Sequence, residues 1–165
     1  DEYILSTLHR PSNVDDQYSL ESLMDTMKQM SEDNTVVFPI HPRTKNNLKK
    51  YNIFEKYNSI KNLKIIEPQG YIDFMCLQKN AKLIITDSGG IQEESSYFQT
   101  PCLTVRDNTE RPVTISHGTN KLIGANYENI IPQLKMIENK ISNINLWDGM
   151  SSKRIVKILK EYYND

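Results

Sequence analysis

The chain has 165 residues, of which 38% are hydrophobic and 25% charged, with a formal net charge of −1; this describes one folded domain with a single core and excludes a disordered tail. No apolar run approaches the roughly 20 residues that span a bilayer, and Asp1-Glu2-Tyr3-Ile4-Leu5 lacks the basic start of a signal peptide, so a cytoplasmic protein without membrane contact is expected. The near-neutral charge, with no basic face interleaved with aromatics, argues against a nucleic-acid partner.

Tyr3-Ile4-Leu5-Ser6-Thr7-Leu8 reads as a core strand with no lead-in, which suggests a sequence cut from a longer protein, and it ends on His9-Arg10-Pro11. A helix over about 18–32 follows, with Leu20, Leu23, Met24, Met27 and Met30 forming a buried stripe at 3–4 spacing. A strand over 35–40 leads into His41-Pro42-Arg43 and a helix over 43–51, whose Lys45, Lys49 and Lys50, with Lys56 beyond it, read as a solvated surface. The strand over 63–67 ends on Pro68-Gln69-Gly70-Tyr71 and a helix over 71–80. The strand over 82–86 breaks at Asp87-Ser88-Gly89-Gly90 and restarts as a helix over 90–98. A fifth strand over 102–105 runs into Arg106-Asp107-Asn108-Thr109-Glu110-Arg111-Pro112, and helices over about 127–139 and 151–163 complete the pattern. Cys76 and Cys102 stand in apolar segments without Cys-x-x-Cys or Cys/His spacing, so buried thiols are expected and no metal site.

Regular alternation of strands and helix-length crossovers implies an α/β fold with a doubly wound parallel sheet, Rossmann-like, in one domain. Such sheets bind ligands outside the carboxyl ends of their strands. Two of the three histidines and most of the arginines fall on that edge. Its centre is the Ser88-Gly89-Gly90 turn, where a strand passing into a helix N-terminus leaves backbone N–H groups unpaired within a positive dipole, a seat for phosphate. Glu94 lies one turn beyond Gly90, within reach of a hydroxyl pair beside such a phosphate. Arg111, biased by Pro112 toward an extended backbone, suits bidentate phosphate recognition. His9 and His41 fit either a ligand role or loop-orienting and helix-entry roles. Gln69 and Phe74 bracket a helix start, where Phe74 fits core packing as readily as stacking on a base.

The set Thr7-Leu8-His9-Arg10-Pro11, Pro39-Ile40-His41-Pro42-Arg43, Glu67-Pro68-Gln69-Gly70-Tyr71, Thr86-Asp87-Ser88-Gly89-Gly90-Ile91-Gln92-Glu93-Glu94, Arg106-Asp107-Asn108-Thr109-Glu110-Arg111-Pro112 and Gly118-Thr119-Asn120-Lys121-Leu122-Ile123-Gly124 resembles the C-terminal half of the non-hydrolysing UDP-N-acetylglucosamine 2-epimerases. Leu146-Trp147-Asp148-Gly149 resembles the family's closing segment. The resemblance implies that residues 1–165 are the UDP-binding lobe of a two-lobed, glycosyltransferase-B type fold lacking its N-terminal lobe, within a full-length homodimer.

It further implies that Ser88, Gly89 and Gly90 meet the diphosphate, Glu94 holds the ribose hydroxyls, Arg111 clamps phosphate, and Gln69 and Phe74 sit at the uracil. His9 would lie beside the diphosphate near the reacting sugar as the catalytic residue of this lobe. Arg10 and His41 fall where members with an activator site bind a second UDP-sugar; Ser12 departs from the glutamate of many members there. The implied reaction interconverts UDP-N-acetylglucosamine and UDP-N-acetylmannosamine by elimination and re-addition of UDP. It needs no cofactor and no metal, its acid/base carboxylates belong to the other lobe, and this chain alone is expected to be inactive. The resemblance also implies that the last helix, with its Ile155, Ile158, Leu159 and Tyr162 stripe, packs toward the other lobe. The alternative class is the nucleotide lobe of a glycosyltransferase of the same type; Thr109-Glu110-Arg111-Pro112 favours the epimerase.

Overall fold

The structure is a computed structural model that describes residues 2–136 and 140–163. Six strands form one sheet: β1 Tyr3–Thr7, β2 Thr35–Pro39, β3 Leu63–Ile66, β4 Leu83–Thr86, β5 Cys102–Thr104 and β6 Asn120–Leu122. Their order is β3-β2-β1-β4-β5-β6, and every pairing is parallel. The chain builds outward from β1 to β3, then returns to the other side of β1 to place β4 through β6. A parallel sheet with that reversal opens a crevice between the carboxyl ends of β1 and β4.

Successive strand residues face opposite sides of the sheet, and both sides are apolar. Ile4, Leu83 and Ile85 enter a large cluster with Leu20, Leu23, Met24, Met27 and Met30 of α2 (Gln17–Asp33). Leu5 and Ile84 enter a second cluster with Ile91 and Cys102, against which Phe74 and Leu77 pack. The α2 methionines therefore fill core, as their spacing implies. The first side is deeper because the long α2 covers it, while α5 (Tyr71–Asn80) and α6 (Gly89–Phe98) cover the second.

Several elements differ from the sequence reading. β6 is an additional strand; its three residues, Asn-Lys-Leu, carry no apolar run, and Asn120 is buried through hydrogen bonds. Short helices α1 (Pro11–Val14), α4 (Phe54–Asn58) and α7 (Pro112–Ser116) occupy connections, two of them opened by proline at the first position. α3 spans Pro42–Lys50. The helix expected over 127–139 is a 3₁₀ turn at Tyr127–Asn129 followed by α8 at Ile130–Leu134. Pro132 tolerates only the first turn of an α-helix, because further in its ring would meet the carbonyl four residues back. Positions 137–139 of that expectation lie outside the described residues. α9 spans Ser151–Tyr163.

Cys102 is buried as expected, and burial pushes its thiol up to about 11. Cys76 is exposed instead. The inward face of α5 is set by Phe74, Leu77 and buried Gln78, which leaves position 76 on the outer side.

Candidate functional site

The turn after β4 is open where a ligand would approach it. Ser88 is the N-cap of α6 with φ −88° and ψ 133°, and its hydroxyl is not spent on capping. Its N–H donates to Thr86 Oγ1 at 3.0 Å. Neither Gly89 nor Gly90 has a positive φ, so what glycine supplies here is space. A Cβ on Gly90 would meet nothing within 4 Å, and one on Gly89 would lie 3.8 Å from Glu110 Oε2. The first N–H groups of a ten-residue helix thus face an uncovered surface, with the positive end of the helix dipole behind them.

Asp87 joins this turn to the loop after β1. The residue is fully buried. Its Oδ2 accepts from the His9 N–H (3.0 Å), the Arg10 N–H (2.8 Å) and Asn13 Nδ2 (2.8 Å). His9 Nδ1 lies 3.2 Å from Oδ1. Burial pushes the Asp87 pKa up, but the hydrogen bonds from His9, Arg10 and Asn13 outweigh it and hold the carboxyl below its ordinary value. The contact with Asp87 raises the His9 pKa, against the opposing effects of burial and the Arg10 charge. The crevice therefore holds an imidazole biased toward its charged form, which suits an anionic ligand.

His41 stands beside His9, their ring centroids 5.2 Å apart. It caps α3, its Nδ1 accepting from the Arg43 N–H at 3.1 Å. Burial lowers its pKa, helped by the charges of His9 and Arg43. A neutral ring with an occupied Nδ1 leaves Nε2 as the donor. The pKa values of the two histidines are thus shifted in opposite directions.

The loop after β5 frames the other side. Arg106, nearly buried, donates to both oxygens of Glu110, Nη1 to Oε2 at 2.9 Å and Nη2 to Oε1 at 2.7 Å. That pairing, led by the Arg106 hydrogen bonds, lowers the Glu110 pKa to about 2. Arg111 is half-exposed, with Nε 2.9 Å from Glu93 Oε1. Its backbone, at φ −124° and ψ 56°, is less extended than the following proline suggests, because its N–H is drawn to Thr109 Oγ1 at 2.9 Å. Glu94, on the second turn of α6, accepts from Gln78 Nε2 at 2.5 Å.

His9, Arg10, His41, Ser88, Gly89 and Gly90 meet at the β1/β4 crevice, with Glu94 and Arg111 alongside on α6 and at the N-cap of α7. Gln69 and Phe74 are separated in character. Gln69 is exposed, its amide turned back to the Glu67 carbonyl at 2.7 Å. Phe74 packs half-buried into the second core cluster. The sequence reading gave no role to Asp87, which looked like one member of a turn motif, nor to the buried polar residues Gln92, Asn120 and Thr114. Polar residues at helix and strand positions with apolar neighbours were the available signal for the last group.

The family model for UDP-N-acetylglucosamine 2-epimerase matches residues 1–160. A UDP-N-acetylglucosamine 2-epimerase of Methanocaldococcus jannaschii is 47% identical over 166 residues, covering 96% of this chain and 44% of that protein. The structure of the Methanocaldococcus jannaschii enzyme in complex with UDP-GlcNAc and UDP superposes with a TM-score of 0.82 at 45% identity, over 98% of this chain and 46% of the other. That of the Neisseria meningitidis enzyme bound to UDP-GlcNAc gives 0.81 at 31% identity, over 97% and 45%. An Escherichia coli heptosyltransferase with ADP shares the fold alone, with a TM-score of 0.59 at 12% identity over 87% of this chain and 46% of the other. The chain spans less than half the length of the curated relatives it matches. The match covers nearly all of it, in order, through every strand end that lines the crevice, and the chain belongs to the UDP-N-acetylglucosamine 2-epimerase family.

Proposed function

We propose that this chain is the UDP-binding lobe of an enzyme that interconverts UDP-N-acetylglucosamine and UDP-N-acetylmannosamine. Supporting this reading above all is the convergence of the open Ser88–Gly90 turn and the Asp87-held His9 at one crevice. In the proposed site the Ser88 hydroxyl, the Gly89 and Gly90 amides and Arg111 hold the diphosphate, the Ser88 N–H being already given to Thr86 Oγ1; Glu94 takes the ribose hydroxyls, and Gln69 and Phe74 border the uracil. Arg10 and His41 belong to a possible activator site beside His9.

The hydrogen on sugar carbon 2 is not acidic, since no carbonyl neighbours it, so the reaction runs by elimination. A carboxylate takes the carbon 2 proton, the carbon 1–oxygen bond breaks, and UDP departs with the bonding electrons, leaving 2-acetamidoglucal. UDP then adds back at carbon 1 as a proton reaches carbon 2 from the opposite face. This lobe serves the departing group: N–H donors, Arg111 and charged His9 act where negative charge grows. The carboxylates that move the proton belong to an N-terminal lobe outside this chain, and the complete enzyme is a cytoplasmic homodimer without cofactor or metal.

Calorimetry of UDP against the 165-residue chain tests the assignment. Saturable binding is expected, weakened about tenfold by Arg111→Ala and by Glu94→Ala, the loss associated with a charge-assisted hydrogen bond. Heats indistinguishable from buffer would remove the nucleotide assignment. Turnover of UDP-N-acetylglucosamine by this chain alone would overturn the need for a second lobe.

A further inference from the structure

Behind the crevice lies a polar hub centred on a buried glutamine of α6. Gln92, fully buried on α6, donates from Nε2 to the Ser88 carbonyl at 3.3 Å. Its Oε1 accepts from Thr109 Oγ1 at 2.5 Å and from Asn120 Nδ2 at 3.1 Å. With its hydrogen given to Gln92, the Thr109 hydroxyl accepts the Arg111 N–H at 2.9 Å. Asn120 Nδ2 also reaches Thr114 Oγ1 at 3.1 Å, and that hydroxyl donates to the Arg111 carbonyl at 2.8 Å. Asn120 is itself fixed on β6 by Thr104 Oγ1, which donates to its Oδ1 at 2.6 Å. One amide therefore grips the Ser88 turn directly, the Arg111 N–H through Thr109, and the Arg111 carbonyl through Asn120 and Thr114 in turn. Its orientation is dictated: donors face Oε1 and a carbonyl faces Nε2, so a flipped amide would oppose like to like.

Outside the hub, Arg111 is held by its own segment, donating from Nη1 to the Glu110 carbonyl at 3.3 Å and accepting the Thr114 N–H at 3.0 Å. Its guanidinium is half-exposed and its neighbour Glu93 is equally so. The hub links its backbone to the Ser88 turn.

We propose that Gln92 is a positioning residue that locks the Arg111 arm to the Ser88–Gly90 turn, so that both converge on one diphosphate. The proposal rests on the reading of this crevice as a UDP site. Because a satisfied buried network is held as a unit, the benefit of Arg111 for UDP exists only while Gln92 is in place.

A double-mutant cycle measured by calorimetry separates this from a general loss of stability. Gln92→Met, of similar volume, and Arg111→Ala are each expected to weaken UDP about tenfold, and the double variant no more than about threefold beyond the weaker-binding single one. Uridine, which lacks phosphate, is the second ligand: Gln92→Met leaves its affinity within about twofold, whereas a merely structural role would weaken both ligands alike. Additive losses in the cycle, or parallel losses for UDP and uridine, would overturn the proposal. A failure of Arg111→Ala and Glu94→Ala to affect UDP would instead defeat the site reading beneath it. If Gln92→Met does not fold, the unmutated chain still decides by NMR. UDP is expected to shift the side-chain amide resonances of Gln92 and Asn120 while uridine does not; resonances unmoved by UDP would overturn the coupling.

Discussion

At the scale of single residues, Asp87 and Glu93 bear in opposite senses on the proposed anion site. Asp87 is enclosed, and its carboxylate is consumed in holding two backbone N–H groups, Asn13 and the His9 ring. Its lowered pKa means that its contribution to stability is complete above about pH 3.9, the ordinary aspartate value, and is lost as pH falls through the lower native one. His9 behaves conversely: its raised pKa gives a contribution complete below about pH 6.5 and lost as pH rises through the raised value. Asp87→Asn keeps the shape but removes the charge. It is expected to cost roughly 1.5–3 kcal/mol of stability in denaturant titration and to lower the His9 midpoint followed by NMR. An unmoved midpoint would show that another group sets the charge of His9. Glu93 is a competitor for Arg111. The two side chains are 40% and 42% exposed, and pairs of that kind are worth about 0.2–1 kcal/mol. Glu93→Gln is therefore expected to tighten UDP by up to about fivefold at low salt; unchanged or weaker binding would argue that Arg111 does not reach phosphate.

At the scale of elements, the sheet was legible wherever apolar, β-branched runs made the strands, and its doubly wound order followed from the alternation with helices. β6 was not legible, because Asn120 is made buriable by Thr104 and Gln92, 16 and 28 positions before it, as well as by nearby Thr114. The same reason hid Gln92, which reads as one polar residue among several on a helix. The glycine-rich turn was legible because strand, glycines and helix start are contiguous. The seam through Asp87 was not, since its partners lie 74 to 78 positions away. Packing between α6, α7 and β6 also depends on Gly118. A Cβ there would lie 2.5 Å from the Thr114 carbonyl oxygen and 2.9 Å from Thr114 Cα, neither able to rotate away. Gly118→Ala is expected to cost roughly 1–3 kcal/mol through overpacking, and, by pushing on α7, to weaken UDP through Arg111. A melting temperature and UDP affinity both unchanged would show that this contact yields freely.

At the scale of the whole molecule, α9 stands apart from the sheet that organises everything else. None of its described residues is buried. Its start is fixed locally, Arg154 Nη1 donating to Asp148 Oδ1 at 3.0 Å and Nη2 to Oδ2. Ile155, Ile158, Leu159 and Tyr162 are 56%, 63%, 48% and 75% exposed and repeat at helical spacing, so they share one face. An isolated helix of this length is marginal in water, while burying each such side chain fully is worth about 1.5–3 kcal/mol. A helix whose stability depends on an apolar face, and whose face has no cover within the described residues, gains most from a partner surface. For the chain by itself the available surface is the same stripe on another copy. Light scattering is therefore expected to show mass rising with concentration, and Ile158→Lys with Leu159→Glu is expected to return a monomer with the sheet intact. A strict monomer at high concentration in the unmutated chain would mean that the stripe is stable in water as it stands, and that the association does not occur.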